Sequence, residues 1–435
     1  MTLLAAALAA AFAIATPAGA QSAPPSELEA RIAELERQLA ELKAAMATKA
    51  EAKPPPVAGA PAPIQATTLI PGSNPGAVFT VGGFIRTDAL LTRTDSGEIP
   101  DATAPRDLYV PGAIPVGGAS ESTDLDTHIK FSRIWFGFDD TLEAGDKLSA
   151  RLELDLFGSA LGNEASTNTF GVTVRHAWFS WNKWLFGQTW SNFMDVAALP
   201  DSVDFIGATD GTVFVREPMI KYTSGAWSFA AENPQTTVTP FRGGTRINSD
   251  DGNLPDFNLR YRYTQPWGHI TAGAMLRQLK YQTRGATRID GRTSALAGTI
   301  SGRYNFNANN DIRVALNFGQ GLGRYVGLGI VSDAVVDGQG DIDAIDGVAG
   351  FIAFRHVFNP KLRSNLYWSA SRWDNDIALT GLGVTESVNS ISANLFYTPI
   401  PRLDLGFEYR HGSRTLESGA DGDLDRLHFI ARYAF

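Results

Sequence analysis

From residue 78 to the C-terminus, apolar and polar positions alternate. Leu148, Ala150, Leu152, Leu154 and Leu156 are interleaved with Ser149, Arg151, Glu153 and Asp155. Ile312, Val314, Leu316 and Phe318 are interleaved with Asp311, Arg313, Ala315 and Asn317, and Leu427, Phe429, Ala431, Tyr433 and Phe435 close the chain in the same way. A period of two puts all the apolar side chains of a strand on one face. The pattern predicts sixteen strands, near 79–91, 127–140, 146–157, 170–181, 183–188, 214–223, 225–232, 257–264, 268–280, 293–306, 310–319, 347–358, 361–373, 387–397, 402–411 and 424–435. Even-numbered gaps are tight turns, such as Trp181-Asn182-Lys183, Ser224-Gly225 and Asn359-Pro360. Odd-numbered gaps are mostly long and polar: 92–126, 158–169, 189–213, 233–256, 320–346, 374–386 and 412–423. A soluble sandwich would turn the apolar faces inward, and a membrane barrel would turn them towards lipid. Short turns at one end with long loops at the other is the outer-membrane arrangement. The fold expected is all-β, a 16-stranded antiparallel transmembrane β-barrel over residues 78–435. Trp178, Trp181, Trp184, Trp267 and Tyr397 fall near strand ends, where interfacial aromatic girdles belong.

Ahead of the barrel the pattern changes twice. Leu28, Ile32, Leu35, Leu39, Leu42 and Met46 are spaced 4, 3, 4, 3 and 4, a heptad seam flanked by Glu, Arg and Lys. Ser26 with Glu29 forms a capping box. The segment 26–49 therefore reads as a short α-helical coiled coil. A lone helix of that length is marginal in water, so self-association is expected. Residues 50–77, with Pro54, Pro55, Pro56, Pro61, Pro63, Pro71 and Pro75, read as an extended linker. Residues 1–20 carry an apolar run from Leu3 to Ile14 and a small-x-small site at Ala18-Gly19-Ala20, as a secretory signal does.

Composition narrows the chemistry. After residue 20 no apolar run reaches the ~20 residues of a membrane helix. There is no cysteine, which excludes disulfides and thiolate metal sites or nucleophiles. The net charge of −9 argues against nucleic acid as a partner. His128, His176, His269, His356, His411 and His428 show no metal-ligand spacing, and no nucleophile-elbow pattern is present. No cofactor, metal or enzymatic activity is expected.

The stretch from Arg175 to Pro234 is more specific than a pattern. It contains Arg175-His176-Ala177-Trp178, Trp181-Asn182-Lys183-Trp184-Leu185-Phe186-Gly187-Gln188-Thr189-Trp190-Ser191-Asn192-Phe193-Met194-Asp195, Val203-Asp204-Phe205 and Phe214-Val215-Arg216-Glu217-Pro218. These residues resemble the DcaP-like family of Gram-negative outer-membrane porins. The C-terminal Ala431-Arg432-Tyr433-Ala434-Phe435 likewise resembles the aromatic signal of outer-membrane assembly. The resemblance implies a homotrimer in outer-membrane lipid and lipopolysaccharide, a periplasmic N-terminal coil, and uptake of small anionic solutes of dicarboxylate type. An envelope-anchoring barrel without transport is the alternative.

With the apolar face towards lipid, the residues alternating inward include Arg151, Arg175, Lys221, Arg260, Arg262, Arg277, Arg303, Arg313, Arg363, Arg410, Arg426 and Arg432. Inward acids are fewer: Glu153, Asp155, Asp311, Asp404 and Glu408. Arginine stays charged and pairs with carboxylates through two hydrogen bonds, so a basic lumen points to anions. Arg151–Glu153, Arg313–Asp311 and Arg410–Glu408 are expected to pair within the wall. Arg260, Arg262, Arg277 and Arg303, with Arg175, are expected to meet solute. In sixteen-stranded porins the loop corresponding to 189–213 commonly folds inward. Here it carries Asp195, Asp201, Asp204 and Asp210, and opposite the arginines it is expected to set up a transverse field.

Overall fold

The structure, a computed structural model, describes Arg37, Ala66–Thr67 and residues 77–158, 167–283 and 289–435. The signal-like segment, the coil positions Leu28, Ile32, Leu35, Leu39 and Leu42, and most of the linker lie outside the described residues. Sixteen strands form one closed antiparallel barrel. They are β1 (Val78–Thr94), β2 (Ser122–His128 and Arg133–Thr141), β3 (Lys147–Asp155), β4 (Thr173–Trp181), β5 (Trp184–Trp190), β6 (Arg216–Ser224), β7 (Trp227–Glu232) and β8 (Asp256–Gln265), followed by β9 (Gly268–Gln282), β10 (Asp290–Asn305), β11 (Asn310–Gln320), β12 (Asp346–Asn359), β13 (Leu362–Asp374), β14 (Thr385–Tyr397), β15 (Leu403–Leu416) and β16 (Asp421–Ala434). Each pairs with its neighbour in sequence, and β16 closes on β1 from Phe84↔Ala434 to Thr94↔Leu424. Closure satisfies the ladder groups of every strand, which is the condition for crossing lipid with sheet.

The faces fall as the alternation requires. Ile270, Leu276, Leu296, Ile352, Trp368, Phe407 and Phe429 lie on the exposed outer surface. Their polar neighbours His269, Thr271, Thr299, Ser369, Glu408 and His428 are buried inside. Three details differ from the sequence expectation. First, β9, β10, β15 and β16 run longer, so the connections after β9 and β15 are short. Second, the connections after β7 and β11 are not plain loops. Thr236–Thr239, Ile247–Ser249, Ala334–Val336 and Ile342–Ala344 form a small sheet over the long-loop end, with Val238, Ala334, Val336 and Ile342 packed on Leu279 and Ala295.

Third, β2 is interrupted at residues 129–132. Ser132 compensates with its side chain: its hydroxyl accepts from the Arg86 backbone N–H at 3.0 Å and donates to the Arg86 carbonyl at 3.1 Å. The break turns Phe131 into the barrel, where it stacks on Phe205 at 4.3 Å.

Phe205 belongs to the connection between β5 and β6, which folds inward and travels around the wall. Its Ser191 hydroxyl and Asn192 N–H both donate to Glu232 of β7, at 2.7 and 2.6 Å. The Val203 N–H donates to Glu408 of β15 at 2.9 Å. Val203 sits where β15 has Gly406, whose added Cβ would lie 2.9 Å from the valine. On its return the loop lays Gly211 against β12, and a Cβ there would stand 2.0 Å from the Gly350 carbonyl oxygen. Overpacking of this kind costs about 1–3 kcal/mol. Gly211→Ala is expected to lift the loop off β12 without unfolding the barrel. The check is severalfold faster proteolysis within residues 191–215, with heat-modifiable gel migration unchanged.

Candidate functional site

The inward side chains form a basic girdle interrupted by carboxylates. On β3 and β4 the ladder slips between Glu153 and Leu154. This bulge turns two consecutive residues, Arg175 and His176, away from the outer face and buries both. Arg175 pairs with Glu153 at 3.1 Å and Asp155 at 2.8 Å. Arg151 reaches the other Glu153 oxygen at 2.6 Å while stacking 4.4 Å over Trp135. Two further cations join this side, neither singled out from the sequence. Arg133 lies 3.4 Å from Glu153, and Arg216 stacks 4.7 Å over Trp190. Arg216 is the first residue of β6 and Arg133 follows the β2 break, so local alternation gives no signal for either.

On β6, β8 and β10 the cations are less occupied. Lys221 and Arg303 have no hydrogen bond or ion pair among the described residues. Among the described residues Arg260 donates only to the Met194 carbonyl, at 3.1 Å. Arg262 stands 3.5 Å from Asp195 with 37% of its side chain exposed. On the next strands the acids are engaged. Arg313 holds Asp311 at 2.7 Å and also donates to the Leu199 carbonyl. Arg363 lies between Asp201 at 3.3 Å and Asp404 at 3.4 Å, Arg355 between Asp311 at 3.3 Å and Asp201 at 3.6 Å, and Arg432 pairs with Asp404.

The expected wall pairs Arg151–Glu153, Arg313–Asp311 and Arg410–Glu408 all form. Two placements need correction. Arg175 is buried in its double ion pair. Arg277 is sealed at the long-loop end, bridging Asp256 at 2.9 Å and Asp333 at 2.8 Å with 1% of its side chain exposed. It also donates to the carbonyls of Gln235 and Gly321. Strand alternation gives the direction of Arg277 correctly, but a loop comes to cover it. That loop, 321–345, also brings Arg324 to Glu217 at 2.7 Å and to Asp256 at 3.0 Å. With this ring of charges closed, Arg277 is structural. Removing one member of such a buried pair costs about 3–5 kcal/mol.

The inward loop also departs from expectation. It does not present a row of acids to the lumen. Asp195 is almost wholly buried and accepts from His269, Thr271 and Ser301 at 2.8, 2.9 and 3.0 Å. Burial alone would raise its pKa, but the His269 and Thr271 hydrogen bonds and the nearby Arg262 outweigh this and hold the carboxyl at about 2. Asp204 is also buried, accepting from the backbone of Tyr109, Ile206 and Gly207. Its burial is outweighed by Arg410, His428 and those backbone N–H groups, so its pKa is lowered. Asp210 accepts from Ser369, Ser390 and Tyr109, and there burial wins, so its pKa is raised. Of the loop's four acids only Asp201 is substantially exposed, at 41% of its side chain. Asp195, Asp204 and Asp210 are therefore anchors, and Asp201, near Arg355 and Arg363, is the one acid of the loop left to face the arginines.

The comparisons agree with this fold. A family model described as DcaP outer membrane protein matches residues 101–435. The fold is similar to the outer membrane channel DcaP of Acinetobacter baumannii, with a TM-score of 0.68 at 23% identity, covering 83% of this chain and 98% of that one. It is also similar to OmpT of Vibrio cholerae in its trimer form, with a TM-score of 0.52 at 13% identity, covering 83% of this chain and 100% of that one. No curated protein matches the chain.

The Asp195 anchor has a definite pH range. Its pKa is depressed on folding, so its stabilisation is complete above the ordinary carboxylate value of about 4 and is lost as pH falls through about 2. Bilayer conductance is expected to hold steady from neutral pH down to about 4 and to become noisy below about 3. Asp195→Asn, which cannot ionise, is expected to show the low-pH noise already at neutral pH.

Proposed function

This chain belongs to the DcaP outer membrane protein family and is an outer-membrane porin of the Gram-negative type; from that premise we propose that its barrel passes small anionic solutes, dicarboxylates being the class that suits it best. The observation that carries the reading is the imbalance on β6, β8 and β10. Lys221, Arg260, Arg262 and Arg303 line neighbouring stretches of wall, and the two inward acids nearest them are already engaged: Asp195 accepts three hydrogen bonds from the wall and Glu232 accepts from Ser191 and Asn192 of the inward loop. A solute carboxylate takes the place that a wall acid holds elsewhere in the girdle. Arg151, Arg313 and Arg363, each with one wall carboxylate and part of its surface exposed, extend the basic path to either side. Arg175 and Arg277 act on the path only by shaping it. A porin lowers no chemical barrier; it offers a field and hydrogen bonds in place of lost hydration.

We assign residues 78–435 to the channel, 50–77 to the linker and 26–49 to a periplasmic coil, with 1–20 as a signal peptide. The heptad seam supports self-association, and the family membership makes a homotrimer the expected form. Deleting residues 26–49 is expected to weaken the trimer on unheated gels while the barrel remains heat-modifiable.

The test of selectivity is the zero-current potential under a salt gradient. Anion preference is expected for the natural sequence. The triple replacement Arg260→Ala, Arg262→Ala and Arg303→Ala is expected to bring the anion-to-cation ratio near unity. Arg277→Ala is expected to lower stability more than selectivity. Cation preference of the natural sequence would remove the reading, and absence of conductance would favour the anchoring role.

A further inference from the structure

At the long-loop mouth of the barrel, away from the girdle, lies a polar-lined cavity of about 270 Å³. Four connections and the upper ends of β14 and β15 enclose it. Arg246 and Arg414 are its charged lining residues, and no carboxylate lines it. Neither arginine forms an ion pair among the described residues. Each is held by part of its guanidinium only. Arg246 donates through one terminal nitrogen to the carbonyls of Gly329 and Val331. Arg414 donates through Nε to the Thr385 hydroxyl and through Nη1 to the Ile114 carbonyl, both at 3.0 Å. Nε and Nη2 of Arg246 and Nη2 of Arg414 have no partner among the described residues.

The surroundings preserve this arrangement. Gly329 has φ +79°, and a Cβ there would stand 2.6 Å from Nη1 of Arg246, so the close approach of the guanidinium depends on that glycine. Acids near the two arginines in sequence have other partners. Glu417 accepts from Asn375, itself a lining residue, at 2.8 Å, Glu386 from Arg372 at 2.5 Å, and Asp251 from Ser249 at 2.6 Å. Arginines serving only to staple loops would need no cavity between them. Two held cations with spare donors, around a small space free of acids, form a receptor for an anion. The volume lies just below the ~300 Å³ at which pockets for drug-sized ligands begin, which fits a small organic acid.

We propose that this cavity is a capture site for carboxylate-bearing small solutes at the outer mouth, occupied before the solute reaches the lumen arginines. The proposal rests on the anion-passing reading of the lumen. Such a site raises the association rate from the loop side and leaves the selectivity of the main barrier alone.

The experiment uses the full chain in planar bilayers, with succinate as the probe and current fluctuations giving its association rate from each side. Arg246→Gln with Arg414→Gln keeps an amide donor for the loop carbonyls but removes both charges. It is expected to slow association from the loop side by roughly tenfold. Association from the turn side and the zero-current potential in chloride are expected to stay unchanged. Replacement of both residues by lysine is expected to keep most of the rate. An unchanged loop-side rate in the glutamine variant, with anion preference intact, overturns the capture site and leaves the lumen reading standing. Equal slowing from both sides, or a shifted zero-current potential, also overturns it, because either result places the two arginines in the main barrier. Cation preference of the natural sequence removes the lumen reading and the capture site together. If the double variant fails to fold, Arg246→Gln alone, at an exposed loop position, is expected to slow loop-side association severalfold, and an unchanged rate there overturns the proposal.

Discussion

The interior of this barrel depends on carboxylates that have been taken out of water and paired. A buried ion costs several kcal/mol unless hydrogen bonds and counter-charges replace its hydration. Asp195 and Asp204 meet that condition by bonding to the wall and the first long loop, and Asp210, bonded to Ser369, Ser390 and Tyr109, meets it in part. Glu232 and Glu408 of the wall meet it by bonding to the inward loop's backbone. The loop therefore cannot leave the wall without stranding charge on both sides. The path a solute follows is the space left over once these bonds are made.

That constraint also determines which cations remain for function. Many of the acids the loop or wall supplies engage two or three cations, as Glu153 does for Arg133, Arg151 and Arg175 and Asp311 for Arg313 and Arg355. Around β6, β8 and β10 the supply runs short. On the proposed reading, selectivity is a property of the remainder of the charge pairing, and a protein with a net charge of −9 can still have a basic interior. The mouth repeats the logic on a smaller scale, with Arg246 and Arg414 held by carbonyl and hydroxyl oxygens, which orient a guanidinium without neutralising it.

Much of this was legible in the chain. The period of two, with short and long gaps in alternation, was sufficient for the strand count, the closed antiparallel barrel and the outward apolar face, because lipid imposes one face on every strand. The run from Arg175 to Pro218 pointed to the family. The i,i+2 wall pairs followed from strand geometry, since alternate residues share a face. The small sheet over the loops was less visible, although Thr236-Thr237-Val238-Thr239 and Ala334-Val335-Val336 are β-branched runs that mark it. The β2 break was not visible, because the Ser132 hydroxyl stands in for a ladder bond that no periodicity reports.

The sequence by itself determined which way most strand residues point and that the inward face is rich in cations. Only the tertiary structure decided which of them stay available. Arg277 and Arg303 both alternate inward, on β9 and β10. Arg277 is closed off by Asp333 from a loop 56 residues further along the chain, whereas Arg303 meets no acid among the described residues. Likewise Asp195, Asp201 and Asp204 share one loop, and it is the contacts of Asp195 with distant strands and of Asp204 with the Tyr109 loop and its own turn that separate the exposed acid from the two anchors. Pairing of charge is a long-range event in sequence and a 3 Å event in space, so strand periodicity can say what faces the lumen but not what is already paired there.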